Sequence, residues 1–306
     1  MTINEILLFI IGKIAKEWGI FTNFAIMKRL LFISDLDGTL LGPDSKVSAR
    51  SAEIISELSR EGALITVATA RTPATVEPLL SQTLTTPAAI VMTGAALWDR
   101  RNQRYLDAVY IPADEISELI EAFCEAGVSP FVYRLSDSGE MEVFHAREMN
   151  SAEKAFYEER KSLKLKRFVL QADFQPMSVP HENVILLYAT GSVPAIEALA
   201  RRLRLNPALS VSCYSDIFNP ATANIEVFGS GVSKAKAIRR LAGMLDVDRI
   251  IAYGDNLNDL PMFDIADESV AVENALPEVK AAASRIIGPN SADAVALDMA
   301  RIIREK

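Results

Sequence analysis

LLFISDLDGT, residues 30–39, joins a short and almost unbroken apolar run to two aspartates with one residue between them. Five consecutive residues of this kind predict a strand buried on both faces, the pattern of a parallel sheet. Outward from it the pattern repeats. A helix is expected over 48–61, with Ile54, Ile55 and Leu58 at helical spacing and Gly62 as its stop. A second buried strand is expected over 63–68, a helix over 74–81 and a third strand over 88–92. Strand, helix, strand, helix, strand predicts an α/β fold, a doubly wound and mainly parallel sheet with right-handed crossovers and a Rossmann-like core.

The rhythm then changes. Residues 97–111 predict short strands around the polar turn 99–103, followed by an amphipathic helix over 113–126. Strands are expected over 130–135, 141–145, 183–189 and 209–214, with a helix over 194–203. This is the content of an inserted α+β domain. The α/β pattern returns with an expected strand over 225–228, a helix over 234–245, and strands over 250–253, 269–272 and 285–287. The expected division is an N-terminal extension (1–27), an α/β core in two pieces (28–110 and 223–306) and an insert (111–222) between them.

With 306 residues, half of them hydrophobic, the chain can bury a core of this size. Its formal charge of −8 argues against nucleic acid and against stable association with an anionic membrane. A small anionic substrate remains compatible, because a metal ion and a few placed cations reverse the field locally. Only Cys124 and Cys213 are present, without CxxC spacing, which argues against a zinc site or a disulfide framework and suits the cytoplasm. The chain is expected to be a monomer or a small homo-oligomer.

In open α/β sheets ligands bind outside the carboxyl ends of the strands, which is where Asp35 and Asp37 fall. Two such carboxylates form an expensive cluster unless a cation joins them, and hard oxygen ligands suit Mg²⁺. Gly38 and Thr39 turn the chain and leave backbone N–H groups beside a bound anion. An ordinary Asp-Gly turn is the plainer alternative. GDNLND, residues 254–259, likewise follows an apolar strand, so Asp255 offers a further oxygen ligand with Asn258 and Asp259 one turn on; helix capping by Asp255 or Asn256 is the alternative. Thr69 ends the second strand in VATAR, where its hydroxyl and the next N–H groups, Ala70 included, can hold phosphate oxygens at a helix start, or it is simply a strand-terminal threonine. Lys234 opens a helix, an unfavourable end for a cation unless anions lie nearby; a solvated lysine is the alternative.

In this order the four segments resemble the haloacid dehalogenase superfamily of phosphotransferases, in particular its Cof-type phosphatases, and the resemblance runs from Lys28 to the C-terminus. It implies that Asp35 is the nucleophile and Asp37 the general acid and base, and that Thr69 binds phosphate and Lys234 neutralises charge. It further implies that Asp35, Asp255 and the backbone carbonyl of Asp37 hold Mg²⁺, that Asn258 and Asp259 support phosphate and metal, and that the insert is a large α/β cap. The substrate class implied is a small phosphorylated metabolite, a sugar phosphate or phosphorylated cofactor. Ala70, Thr93 and Ala235 stand where relatives carry glycine, asparagine and glycine, and none of these departures removes a catalytic functional group. A phosphomutase, or a binding protein without turnover, would use the same scaffold. Arg134, His145 and Tyr214 are the insert's weak candidates for substrate contact, with ordinary surface or core placement as the plainer expectation.

Before Met27, an apolar run over 6–11 is followed by Lys13, Lys16 and Glu17. This matches neither a signal peptide, whose positive charge precedes its apolar run, nor a spanning helix of about 20 uncharged residues. An amphipathic or loosely ordered extension is expected, with a membrane-surface anchor as the alternative. Every chemical motif lies after it, so a chain starting at Met27 is expected to keep the specific activity of the full chain in a phosphate-release assay. A folded but inactive truncation would refute that boundary.

Overall fold

A computed structural model describes residues 29–215 and 219–305. The expected extension lies outside the described residues. The first strand, β1 (Leu30–Ser34), is buried along its whole length, as an interior strand must be. It leads through a tight turn at Leu36–Leu40 into α1 (Ala49–Arg60), whose first turn is capped by the Ser48 hydroxyl accepting from the Ser51 N–H at 3.0 Å. β2 (Leu64–Val67), α2 (Pro73–Leu79) and β3 (Ala89–Val91) follow, then an antiparallel pair, β4 (Ala96–Asp99) and β5 (Arg104–Ala108).

The insert begins with α3 (Ile116–Glu125), β6 (Phe131–Leu135) and β7 (Met141–Ala146). Next come α4 (Ser151–Arg160) and β8 (Lys166–Gln171), neither of which the apolar spacing predicts. The helix carries few apolar residues and owes its start to a reciprocal capping box between Asn150 and Glu153. The strand begins Lys-Arg and lies at a sheet edge, paired only with β7. β9 (Val184–Ser192), α5 (Val193–Leu203), β10 (Leu209–Ser215) and β11 (Thr222–Gly229) complete a six-stranded sheet of order β10-β11-β9-β6-β7-β8.

This sheet corrects the expected boundary at 222–223. Residues 225–228 do not return to the core: β11 pairs antiparallel with both β9 and β10. Its apolar residues alternate between two packed faces, Ile225 and Val227 against α3 and α5, Phe228 toward the core. A short apolar run is equally at home in either sheet, and only pairing decides between them.

The chain re-enters the core with α6 (Lys234–Leu245), β12 (Arg249–Gly254), the short α7 (Leu260–Phe263), β13 (Glu268–Val272), α8 (Pro277–Ala282), β14 (Arg285–Ile287) and α9 (Ala294–Arg304). The core sheet is wholly parallel, in the order β14-β13-β12-β1-β2, and a single parallel bridge from Ala68 to Ile90 joins it to the β3-β4-β5 sheet. Helix α1 packs against α9, while α6 packs beside α7 and α7 beside α8. No helix among the described residues is long and apolar enough to cross a membrane.

One buried polar network ties β12 to the last strand and helix. Asp298 accepts from the Tyr253 hydroxyl at 2.9 Å, from Arg285 at 2.8 and 2.5 Å and from Arg301 at 2.9 Å. Burial by itself raises the pKa of Asp298, but these hydrogen bonds outweigh it and hold the carboxyl below its ordinary value. Its stabilising contribution is therefore present at neutral pH and lost as pH falls through the carboxylate range. Asp298→Asn is expected to lower stability by about 1–3 kcal/mol in urea unfolding at neutral pH, with the difference from wild type shrinking as the medium is acidified. A difference independent of pH would refute this account.

Candidate active site

Register brings the predicted residues to one place. Ser34 lies opposite both Val67 on β2 and Tyr253 on β12, so the chain leaves all three strands at the same edge of the sheet. Asp35 follows the first, Thr69 stands two residues beyond the second, and Asp255 follows Gly254 at the end of the third. Hydrogen bonds from the Asp35 N–H to the Tyr253 carbonyl (3.0 Å) and from the Ala68 N–H to the Ser34 carbonyl (2.9 Å) extend the ladder to this edge.

Lys234 is 1% exposed and sits between two carboxylates: its Nζ donates to Asp35 Oδ1 at 2.5 Å and to Asp259 Oδ1 at 2.7 Å. Asp259 is itself fully buried, and its Oδ2 accepts from the backbone N–H groups of Asp255 (3.0 Å) and Asn256 (3.1 Å). The Thr39 hydroxyl donates to Asp255 Oδ1 at 2.8 Å. One carboxylate oxygen from each of Asp35, Asp255 and Asp259 lies within 4.8 Å of the others. Such crowding under burial resists charge: burial, offset in part by Lys234 and reinforced by Asp259 and Asp255, pushes Asp35 up to about 7. Burial likewise pushes Asp255 up to about 6, against the hydrogen bond from Thr39. One lysine does not balance three carboxylates. Hard oxygen donors in excess of the available positive charge fit a divalent cation, and binding one would release the protons that the apoprotein holds.

Two glycines make this packing feasible. Gly38 has φ +77°, and a Cβ there would stand 2.3 Å from Asp255 Oδ2. Gly94 has φ +95°, and a Cβ there would stand 2.4 Å from the Ser233 carbonyl, so the turn after β3 presses directly on the start of α6 and fixes Lys234. Thr93 is held in the left-handed region at φ +58°, a strained conformation for a β-branched residue that its N–H to Thr69 carbonyl bond (3.0 Å) helps maintain.

Not every expected residue joins the cluster. The Asp37 carboxylate turns toward Arg71, which binds it with both arms of the guanidinium, Nε at 2.7 Å and Nη2 at 2.6 Å. Thr69 is buried, and its hydroxyl accepts from the Arg71 N–H at 3.2 Å. Ala70 is exposed and lines a cavity between core and insert. Asn258 is exposed on the short turn Leu257–Asp259, which Asn256 caps, so the capping alternative holds for Asn256 while Asp255 joins the acidic cluster. In the insert, Arg134 is a structural residue paired with Glu142 at 2.8 Å, and His145 is buried and stacked on Phe131 at 3.8 Å. Tyr214 lines the cavity.

Sequence reasoning missed Arg71, although it completes the VATAR segment. It also missed Asn274, whose amide donates to the Gly38 carbonyl at 2.7 Å from beyond the end of β13. The same strand-end argument that identifies Asp255 applies to Asn274.

The haloacid dehalogenase-like hydrolase family model matches residues 32–299. The chain is 28% identical to an HMP-PP phosphatase of Serratia proteamaculans, covering 80% of this chain and 84% of that protein. It is 25% identical to a pyridoxal phosphate phosphatase of Escherichia coli, covering 86% and 94%. Its fold is similar to that of a haloacid dehalogenase-like hydrolase from Bacteroides thetaiotaomicron, with a TM-score of 0.72 at 22% identity over 90% of this chain and all of the other.

Because Gly38 leaves no room for a side chain against Asp255, Gly38→Ala is expected to weaken binding of Mg²⁺ at least tenfold in a calorimetric titration, as disturbance around metal ligands commonly does, while circular dichroism stays native. Unchanged affinity would separate the turn from the metal site. The chain belongs to the haloacid dehalogenase-like hydrolases.

Proposed function

We propose that this hydrolase is a Mg²⁺-dependent phosphatase that moves the phosphoryl group of a small phosphorylated metabolite, a sugar phosphate or phosphorylated cofactor, onto Asp35 and then to water. The observation that carries the reading is the buried contact of Lys234 with Asp35 at a strand end, beside Asp255 and Asp259. Two relatives are phosphatases of small phosphorylated compounds, HMP-PP and pyridoxal phosphate. The free Cys124 and Cys213 suit a reducing compartment such as the cytoplasm.

A carboxylate and a phosphate dianion repel each other, so attack requires positive charge on both. Lys234 supplies one part, and its two carboxylate partners hold it charged despite burial that would otherwise lower its pKa. Magnesium, held by Asp35, Asp255 and the Asp37 carbonyl with Asp259 in support, would supply the rest as a Lewis acid on phosphate oxygen. Thr69, the Ala70 N–H and Asn258 stand to bind the remaining phosphate oxygens. Attack by an Asp35 oxygen on phosphorus breaks the ester bond and forms an aspartyl-phosphate. Asp37 protonates the departing oxygen and then takes a proton from the water that cleaves the acyl-phosphate. A carboxylate gripped at both oxygens by a guanidinium cannot do this, so the Arg71–Asp37 pair must open during turnover. The pair is partly exposed and stabilised by about 0–1 kcal/mol, a small obstacle.

Asp35→Asn is expected to abolish turnover and leave no phospho-enzyme, while Lys234 keeps its bond to Asp259 and the fold survives. Asp37→Asn should lose about 10²–10⁴ in rate. With an aryl ester whose leaving group needs no proton, that variant should still phosphorylate Asp35 and accumulate the acyl-phosphate. Mass spectrometry after rapid acid quench locates the phosphate. Phosphate on Asp37, or inorganic phosphate released by Asp35→Asn, would overturn the mechanism.

A further inference from the structure

The wall that the insert turns toward Asp37 is not used by the chemistry above, and it carries two cations. The cavity between the domains has a volume of about 280 Å³, with Asp37 and Arg71 on its core side and Arg160 and Lys166 on its insert side. This is near the lower limit for small-molecule sites, roughly 300–1,000 Å³.

Lys166, the first residue of β8, is 8% exposed. No carboxylate of the described residues lies within ion-pair reach of its Nζ, which lies over the Phe168 ring at 5.4 Å. Burial of an ammonium without a counter-charge is costly. Beside it, the Arg160 guanidinium lies over the Phe156 ring at 4.1 Å. Among the described residues its carboxylate partner is Glu159 at 2.5 Å, whose side chain is 71% exposed to solvent. Burial and the charge of Arg160, offset only in part by the charge of Glu159, push the Lys166 pKa down to about 8. The cavity's one insert carboxylate does not compensate. Glu226 stands on β11, four strands from β8 in the sheet order, about 19 Å at the usual strand spacing. The same cavity wall is also aromatic, with Phe156 and Tyr188 stacked at 4.8 Å.

We infer that Lys166 and Arg160 form a second anion site, which binds a carboxylate or phosphate at the far end of a substrate whose transferred phosphoryl group lies at Asp35. This rests on the phosphatase reading. The ligand is thus a phosphate ester with two anionic ends and a flat or apolar body lying along Phe156 and Tyr188. A second anion restores the balance that the buried lysine lacks, and because Lys166 and Arg160 stand on the insert and not in the carboxylate cluster, they contribute to binding and orientation, not to bond cleavage.

The test compares esters matched in shape and differing in charge: 3- and 4-carboxyphenyl phosphate and 1,4-phenylene bisphosphate against the neutral 3- and 4-carbamoylphenyl phosphates. The wild-type protein should show a KM at least tenfold lower for one or more of the anionic esters than for the amides. Preference for the bisphosphate alone identifies phosphate as the second group, and preference for a carboxylate ester identifies carboxylate. Lys166→Met should shrink the preference to twofold or less, and Lys166→Arg should retain it, with thermal midpoints and circular dichroism reporting folding of both. Equal KM values for charged and neutral esters in the wild type, or a preference that survives Lys166→Met, would overturn the proposal. If no ester is hydrolysed, it is the phosphatase reading that fails, and calorimetric binding of the same charged and neutral pairs to the wild type then decides the anion site by the same tenfold criterion.

Discussion

The ammonium group of Lys234 is the contact on which the site depends. Three carboxylates within 4.8 Å of one another at the edge of a buried sheet would repel and protonate, and a single lysine, itself almost wholly buried, bonds to two of them. Burial of such a group is tolerable only because it is hydrogen-bonded to two well-placed carboxyl groups. Asp259 needs two backbone N–H donors as well, so the turn after β12 is shaped around this carboxylate. Burial, with the neighbouring carboxylates adding to it, leaves Asp35 and Asp255 with raised pKa values, and three carboxyl groups against one lysine fit a cation.

Everything nearby serves to bring that lysine and those carboxylates together. The parallel register of β1 with β2 and β12 delivers Asp35, Thr69 and Asp255 to one edge. Close approach at Gly94 sets the start of α6 against the turn after β3, and close approach at Gly38 sets the first loop against Asp255. The Asp298 network fastens β12 to β14 and α9 behind the site. Function and stability therefore meet in the same strand: Tyr253 anchors it, and Asp255 two residues later contributes to the cluster.

The insert adds a second electrostatic feature of opposite sign. Its sheet turns one face to α3 and α5 and the other, through Tyr133, Leu186 and Tyr188, toward the core. Arg160 and Lys166 border that second face, across the cavity from Asp37 and Arg71. The carboxylate cluster and the insert's cations thus rest on different elements, so that residues of the insert can change without disturbing the cluster.

How much of this could be read from the chain follows from the range of the interactions. Buried parallel strands announce themselves as apolar runs, and acidic residues at their ends announce a site, because both features are local. Asp35, Lys234, Asp255 and Asp259 were therefore recognisable before their contacts were known. The sheet membership of 222–229 was not, since a short apolar strand satisfies either sheet and only its partners distinguish them. Helix α4 and strand β8, which bring Arg160 and Lys166 to the cavity, were hidden for a related reason: one is made by its cap and the other by a neighbouring strand, not by apolar spacing. The grip of Arg71 on Asp37 spans 34 residues of sequence, and that of Lys234 on Asp35 spans 199. Local sequence determined which strands would form and which carboxylates would stand at their ends, because burial and strand termination act over a few residues. Only the tertiary structure decided which cation meets which carboxylate, because electrostatic pairing acts through space between segments that the chain itself keeps far apart.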